Sequence, residues 1–421
     1  MAIHIVRYGE SLWSISQKYG VPIQSIIEVN DLSSSALIPG LALYVPDRSL
    51  PIRSKLISSG DTLWNLASRY RTTLNAIIQA NPGLNPNALN IGQVINIPSP
   101  IKLSMQTLSF VLPYSEENLI PILKEVAEGL TYLAISSYSL TDEGYAYQVL
   151  PDEKLIAESI RLNVTPLLMI RNLLEDQFSP EILNIVLNNP QYRRNLINSL
   201  VNFVQNKGYG GISIDFEFIP PARRDAFVVF LYDLKGALGS LILHVNVHAK
   251  TEDILTNKIT GGHNYREIGR ASDIVAVMTI DYGYPTGPPN PVSPIWWMRD
   301  VIEFAVSEID PRKLQMALPL YGYEWQLSDN QTTAYSLRAA QNQAINKNAI
   351  IRYDQNAETP WYDYWEGTVQ HRLWFDDIRS FREKYKLIDQ YNLLGTTFWQ
   401  LNLAFPQNWP YIDRNFHIIK K

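Results

Sequence analysis

Apolar positions along the first hundred residues run through the same order twice. Sliding the chain by 51 positions lays Gly9-Glu10-Ser11-Leu12-Trp13 on Gly60-Asp61-Thr62-Leu63-Trp64, Tyr19 on Tyr70, Ile26-Ile27 on Ile77-Ile78, and Asn30 on Asn81. One inserted residue then brings Pro39-Gly40 level with Ile91-Gly92. In each copy a short β run (3–6 or 55–57) precedes Ser11 or Thr62, whose hydroxyl suits a helix N-cap. Leu12, Ile15, Ser16 and Tyr19, or Leu63, Leu66, Ala67 and Tyr70, follow at i, i+3, i+4, i+7 and predict one helix. A second helix carries the Ile-Ile pair, and a glycine turn leads to a closing strand that ends at Pro46 or Pro98. Each copy therefore reads as a β-α-α-β unit of under 50 residues, too small and too poor in reactive groups for an enzyme.

From about residue 107 the pattern changes to β-like segments alternating with helical ones. Strands are predicted near 107–112, 131–137, 165–171, 211–216, 242–248, 274–280, 314–320 and 394–399. Eight strands with intervening helices over this length fit a (β/α)8 barrel of the α/β class with one sizeable insertion. The clearest helix follows the fourth strand, with Pro221 in its first turn and Phe227, Phe230, Leu231, Leu234 and Leu238 as one apolar stripe. The stretch 321–393 is far longer than a βα loop and carries Trp325, Trp361, Tyr362, Tyr364, Trp365 and Trp374, so an α+β insertion is placed at about 324–375. The expected division is 1–48 and 52–99 for the repeats and 100–421 for the barrel, the repeats adding avidity without touching it.

Residues 210–218 read Gly-Gly-Ile-Ser-Ile-Asp-Phe-Glu-Phe. A strand's period of two puts Ile212, Ile214 and Phe216 on the face that meets the helices, and Gly211, Ser213, Asp215 and Glu217 on the face that points into the barrel. Two carboxyls inside a barrel are costly unless they are used or paired, and the C-terminal ends of barrel strands are where catalytic groups sit. A carboxyl that must protonate a leaving oxygen near neutral pH needs a raised pKa, which a second carboxyl two residues earlier supplies by repulsion.

Composition removes several function classes. The chain has 421 residues, 36 Lys and Arg against 41 Asp and Glu, and no basic run, so nucleic acid is not an expected partner. Apolar runs such as 226–232 fall short of the ~18 residues needed to cross a bilayer, and no Sec signal is read at the start, so no membrane partner is expected. Cysteine is absent. His244 and His248 lie four apart on a strand, ~13 Å at the usual rise, and no HExxH occurs; neither a metal nor a cofactor is expected. The 24 Tyr and 10 Trp suit surfaces that stack on sugar rings.

The two repeats resemble the LysM module, which implies binding to N-acetylglucosamine polymers such as peptidoglycan or chitin. The stretch ending at Glu217 resembles the D-x-x-D-x-D-x-E signature of glycoside hydrolase family 18, with Gly210 and Ser213 where that signature has its first two aspartates. The order LysM-LysM-barrel is similar to the spore cortex-lytic and coat-associated N-acetylglucosaminidases of endospore-forming bacteria. By this resemblance Glu217 is the proton donor and Asp215 polarises the substrate's acetamide, whose oxygen attacks C1 so that no protein nucleophile is needed. Met278-Thr279-Ile280-Asp281 resembles the family's M-x-Y-D, so Asp281 contacts sugar while Ile280 replaces a tyrosine that donates to the acetamide; Tyr282 or Tyr284 is the candidate substitute. The resemblance also implies that Tyr321 stands at the groove, that Trp399 floors the reacting subsite, and that Ser213 belongs to the substrate-binding set.

The function expected from these residues is retaining hydrolysis of N-acetylglucosaminyl β-1,4 bonds in spore cortex peptidoglycan, by a monomer associated with spore coat, cortex or cell wall. The competing readings are a non-catalytic, lectin-like glycan binder of the spore coat, favoured by Ile280, and a chitinase.

Overall fold

The computed structural model describes residues 2–47 and 49–421. Eight parallel strands form the barrel: β1 (Leu103–Val111), β2 (Tyr132–Leu140), β3 (Thr165–Arg171), β4 (Gly211–Asp215), β5 (Ile242–His248), β6 (Ile274–Met278), β7 (Leu314–Pro319) and β8 (Gly395–Trp399). Each pairs with its neighbour in chain order, and β8 pairs with β1 to close the ring. β4 and β6 are among the strands that end earlier than the apolar pattern predicts. After Asp215 the chain leaves the ladder and Phe218 takes a left-handed φ of 55°; after Met278 it leaves again, with Asp281 at φ 59°. Hydrogen bonds explain the second departure, since the Thr279 hydroxyl donates to the Ala317 carbonyl at 2.7 Å and the Thr279 carbonyl accepts from Ser293 at 2.5 Å.

The helix after β4 spans Arg224–Leu238 behind a 3-10 turn at Pro221–Arg223. Its predicted stripe of Phe227, Phe230, Leu231, Leu234 and Leu238 is buried, and Phe216 stacks on Phe230 at 6.0 Å. Between β7 and β8 an antiparallel five-stranded sheet is built from Tyr321–Gln326, Thr332–Ser336, Arg352–Asp354, Thr359–Glu366 and Val369–Trp374, with the helix Leu337–Asn346 across it. The barrel helix Ile378–Gln390 follows.

Both repeats adopt the β-α-α-β order. The first consists of Ala2–Ile5, Leu12–Tyr19, Ile23–Asn30 and Ala42–Val45; the second of Ile52–Leu56, Leu63–Arg69, Leu74–Ala80 and Val94–Pro98. Ser11 and Thr62 cap their first helices. One asparagine locks each unit: Asn30 Nδ2 donates to the Ile26 and Tyr44 carbonyls and its Oδ1 accepts from Tyr44 N, while Asn81 does the same with Ile77 and Asn96.

The expectation that neither repeat touches the barrel is corrected for both. The core of the first repeat, including Ile15, Ile26 and Leu41–Val45, is continuous with the barrel core, whereas the second keeps a small core of its own around Leu66, Ile77 and Ile95. Gln407, fully buried, donates to Asn30 Oδ1 at 2.6 Å and to the Ala42 carbonyl at 3.0 Å; Arg379 donates to the Gly40 carbonyl. The second repeat is held by the Arg53–Asp389 pair, bidentate at 2.7 and 2.8 Å, and by hydrogen bonds through Ser54 to Asp389 and Gln390.

Candidate active site

A cavity of about 630 Å³ opens at the C-terminal ends of the barrel strands. Asp215, the last residue of β4, and Glu217, just beyond it, both line it, as the period of two requires. Arg171 ends β3 in register with Asp215 and enters the same cavity. Asn172 follows it and grips the backbone of Glu217, accepting from Glu217 N at 2.9 Å and donating to its carbonyl at 3.1 Å. The acid is thus fixed by a side chain from the neighbouring strand rather than by the ladder, which has already ended.

Burial governs the site's protonation. It raises the Glu217 pKa well above the usual carboxylate range; the charges of Asp215 and Asp281 push in the same direction, and Arg171 opposes them. Burial also raises Asp215, but Arg171 and a hydrogen bond from Asn246 pull it back. Asp281 is raised by burial too, and the Tyr321 and Tyr323 hydroxyls that donate to its Oδ1 at 2.6 and 3.1 Å counter this. The environments therefore separate the titrations: Glu217 holds its proton while Asp215, beside a guanidinium, is the more readily ionised. Such an arrangement provides one proton donor and one anionic hydrogen-bond acceptor a strand period apart.

Not every expected residue reaches the cavity. Trp399 lines it, 5.4 Å from Phe110 between ring centres, and Ile280 and Asp281 line it as well. Tyr321 is buried and donates to Asp281 instead of lining the cavity. Tyr282 turns away and packs on Trp296 and Trp297 at 5.1 and 5.5 Å; Tyr284 is the one tyrosine among the described lining residues. Ser213 is sealed in the barrel interior, bonded to His244 Nδ1 at 2.9 Å, and offers no surface to a ligand.

Arg171, Asn172, Asn246 and Tyr323 escaped the sequence reading, which weighed His248 only as a metal ligand. All but Tyr323 are polar residues at or near a barrel strand's C-terminal end, the signal that picked out Asp215. Their partners lie on other strands, so only the barrel's register reveals them.

Comparison with known proteins identifies the family. The profile of glycosyl hydrolases family 18 matches residues 176–404 and that of the LysM domain matches 4–46 and 57–98. The chain belongs to glycosyl hydrolases family 18 and is a glycoside hydrolase carrying two LysM repeats. It is 32% identical to a cortical fragment-lytic enzyme of Bacillus subtilis, over 87% of this chain and 98% of that one. Among solved structures, the spore cortex-lytic enzyme SleL of Bacillus cereus superposes with a TM-score of 0.88 at 29% identity, covering 100% of this chain and 98% of that one. SleL of Bacillus megaterium gives 0.84 at 31%, covering 100% and 99%.

Proposed function

We propose that this enzyme cleaves N-acetylglucosaminyl β-1,4 bonds in spore cortex peptidoglycan with retention of configuration, using the substrate's own acetamide as nucleophile. The observation that carries the reading is the split protonation of Glu217 and Asp215 in one cavity whose only other lining acid, among the described residues, is Asp281. Glu217 gives its proton to the glycosidic oxygen as the C1–O bond breaks. The acetamide oxygen bonds to C1 on the opposite face, and the oxazolinium so formed is held by Asp215, which accepts from the acetamide N–H. Water then attacks C1, passing its proton to the Glu217 carboxylate; the oxazoline C1–O bond opens and the β configuration is restored.

Trp399 floors the reacting sugar, Asp281 contacts it, and Tyr321 and Tyr323 aim Asp281. Tyr284 stands in for the hydroxyl that Ile280 lacks. The LysM repeats hold the glycan; each presents an exposed tryptophan, Trp13 at 65% and Trp64 at 74%, suited to stacking on sugar. The names of the cortex-lytic relatives support the choice of polymer and a cortex or wall location.

The test is digestion of purified cortex and of chitin oligomers, with mass spectrometry of the new reducing ends. Cortex should yield N-acetylglucosamine termini, initially as the β anomer by NMR. Glu217→Gln should lower turnover by ~10²–10⁴ with binding intact. Tyr284→Phe should lower kcat by ~10², the usual cost of one preorganised donor. An initial α anomer, or an active Glu217→Gln enzyme, would overturn the mechanism.

A further inference from the structure

Among the polar groups that line the cavity and that the mechanism above leaves idle, one stands beside the acid. His248, the last residue of β5, places Nε2 3.4 Å from Glu217 Oε2, the approach of a hydrogen bond not yet closed. This Nε2 is sealed from solvent and makes no hydrogen bond with the described residues. A buried, unsatisfied ring nitrogen costs ~1–3 kcal/mol, which an apolar side chain at the same place would avoid.

The ring cannot retreat from Glu217. Phe218 lies 5.2 Å from it and His263 5.6 Å, centre to centre. His263 is fully buried, and its carbonyl accepts from Lys250 at 2.6 Å and Arg224 at 3.2 Å. The adjacent Gly262 packs so tightly on the chain just beyond Glu217 that an added Cβ would fall 2.3 Å from the Ile219 carbonyl oxygen. The imidazole is therefore braced from behind, with its free nitrogen facing the acid.

We propose that His248 is a positioning residue for Glu217: its Nε2–H closes on the Glu217 carboxylate as the proton leaves for the glycosidic oxygen, and opens again when water returns a proton. The inference rests on Glu217 being the proton donor. Burial pushes the His248 pKa down to about 4, so the ring acts as a neutral donor through the neutral range and brings no fixed positive charge that would strip Glu217 of its proton. The donor is engaged when the carboxylate exists and idle when the acid is protonated, so its contribution falls on the step rather than on the resting complex.

The sign of the pH effect follows from the groups around the acid. Asp215 and Asp281 raise the Glu217 pKa and Arg171 lowers it; on the far side the titratable groups that face His248, among the described residues, are Glu217 and His263, with Lys250 and Arg224 behind. A donor to the carboxylate favours the charged form and lowers the pKa, so its removal raises it. Activity needs protonated Glu217 and is lost as pH rises through that pKa, so the basic limb should move upward.

The experiment compares the full chain with His248→Phe and His248→Gln. In His248→Phe, kcat on soluble N-acetylglucosaminyl oligomers should fall ~30–100-fold with KM within about threefold, and the basic limb of kcat/KM should rise by about one pH unit. Gln keeps an N–H donor and should restore kcat to within about tenfold and the limb to its original place. Carbon-13 titration of the Glu217 carboxyl, assigned with Glu217→Gln, follows the same shift without requiring turnover. An unchanged or lowered Glu217 pKa in His248→Phe overturns the inference, the lowered value meaning that the nitrogen accepts from the acid. An active Glu217→Gln variant overturns instead the choice of proton donor.

Discussion

The two LysM repeats share a fold and an asparagine lock but stand in different mechanical relations to the barrel. The closing strand of the first, Ala42–Val45, is buried at every position; that of the second, Val94–Pro98, alternates between buried and partly exposed residues. Between Gly40 and its counterpart Gly92 the contrast is sharper, because both have left-handed φ but only Gly40 lies against another unit. An added Cβ would fall 1.8 Å from the Ile351 carbonyl oxygen at Gly40, and meet nothing within 4 Å at Gly92. Duplication of a module thus leaves each copy's local geometry intact while one copy becomes part of the catalytic body.

The largest expected effect comes from this glycine pair. Gly40→Ala should cost about 4 kcal/mol or more, since the clash with backbone adds to the conformational strain, whereas Gly92→Ala should cost only about 1–2 kcal/mol. Calorimetry separates them further: Gly40→Ala should lower the main unfolding transition that includes the barrel, and Gly92→Ala only a minor one belonging to the second repeat. Equal effects on one transition would break the comparison. Next come the asparagines. Asn30→Ala removes the acceptor of Tyr44 N, a donor to two carbonyls and one of the two acceptors of the buried Gln407 amide, an expected loss of about 3 kcal/mol; Asn81→Ala, partly solvated and with no hydrogen bond to the barrel among the described residues, should lose about half that by denaturant unfolding.

The smallest change in stability should come from Arg53→Met. The pair with Asp389 is partly exposed, so its loss should cost about 1 kcal/mol of stability. It should nonetheless free the second repeat, seen as faster proteolysis between residues 46 and 52 and a larger radius in small-angle scattering. An unaltered cleavage rate would mean that Ser54 and the surrounding contacts hold the repeat without it.

Part of this asymmetry is written in the sequence. Leu41-Ala42-Leu43-Tyr44-Val45 is an unbroken apolar run, the mark of a strand covered on both faces, while Val94-Ile95-Asn96-Ile97-Pro98 alternates as a half-exposed strand does. The 51-residue offset, and the single insertion that turns it into 52 between Tyr44 and Asn96, were legible because each asparagine lock is local. In the barrel, Asp215 and Glu217 were legible because alternation along one short segment points both into the barrel, although the strand itself ends at Asp215 and Asn172 fixes Glu217. Arg171, Asn246 and His248 depend on register between strands, and Tyr282 and Tyr284 on the path of a loop that leaves β6 early. Side-chain periodicity carries no information about either.

The strap between the repeats has a consequence for reach. Val45 and Ile52 are both fixed in strands, so the six residues 46–51 bridge at most about 20–25 Å even when drawn out fully. Unlatched from Asp389, the second repeat would still be tied at both ends, by 46–51 to the first repeat and by 99–102 to β1, so the shorter tether limits its excursion to about 16–18 Å from a point rigid with the barrel, an effective concentration in the millimolar range. On the proposed reading that this repeat holds glycan, a sugar chain gripped there could drift by only a few residues relative to the cavity, and the enzyme would graze one neighbourhood of the polymer repeatedly before moving on.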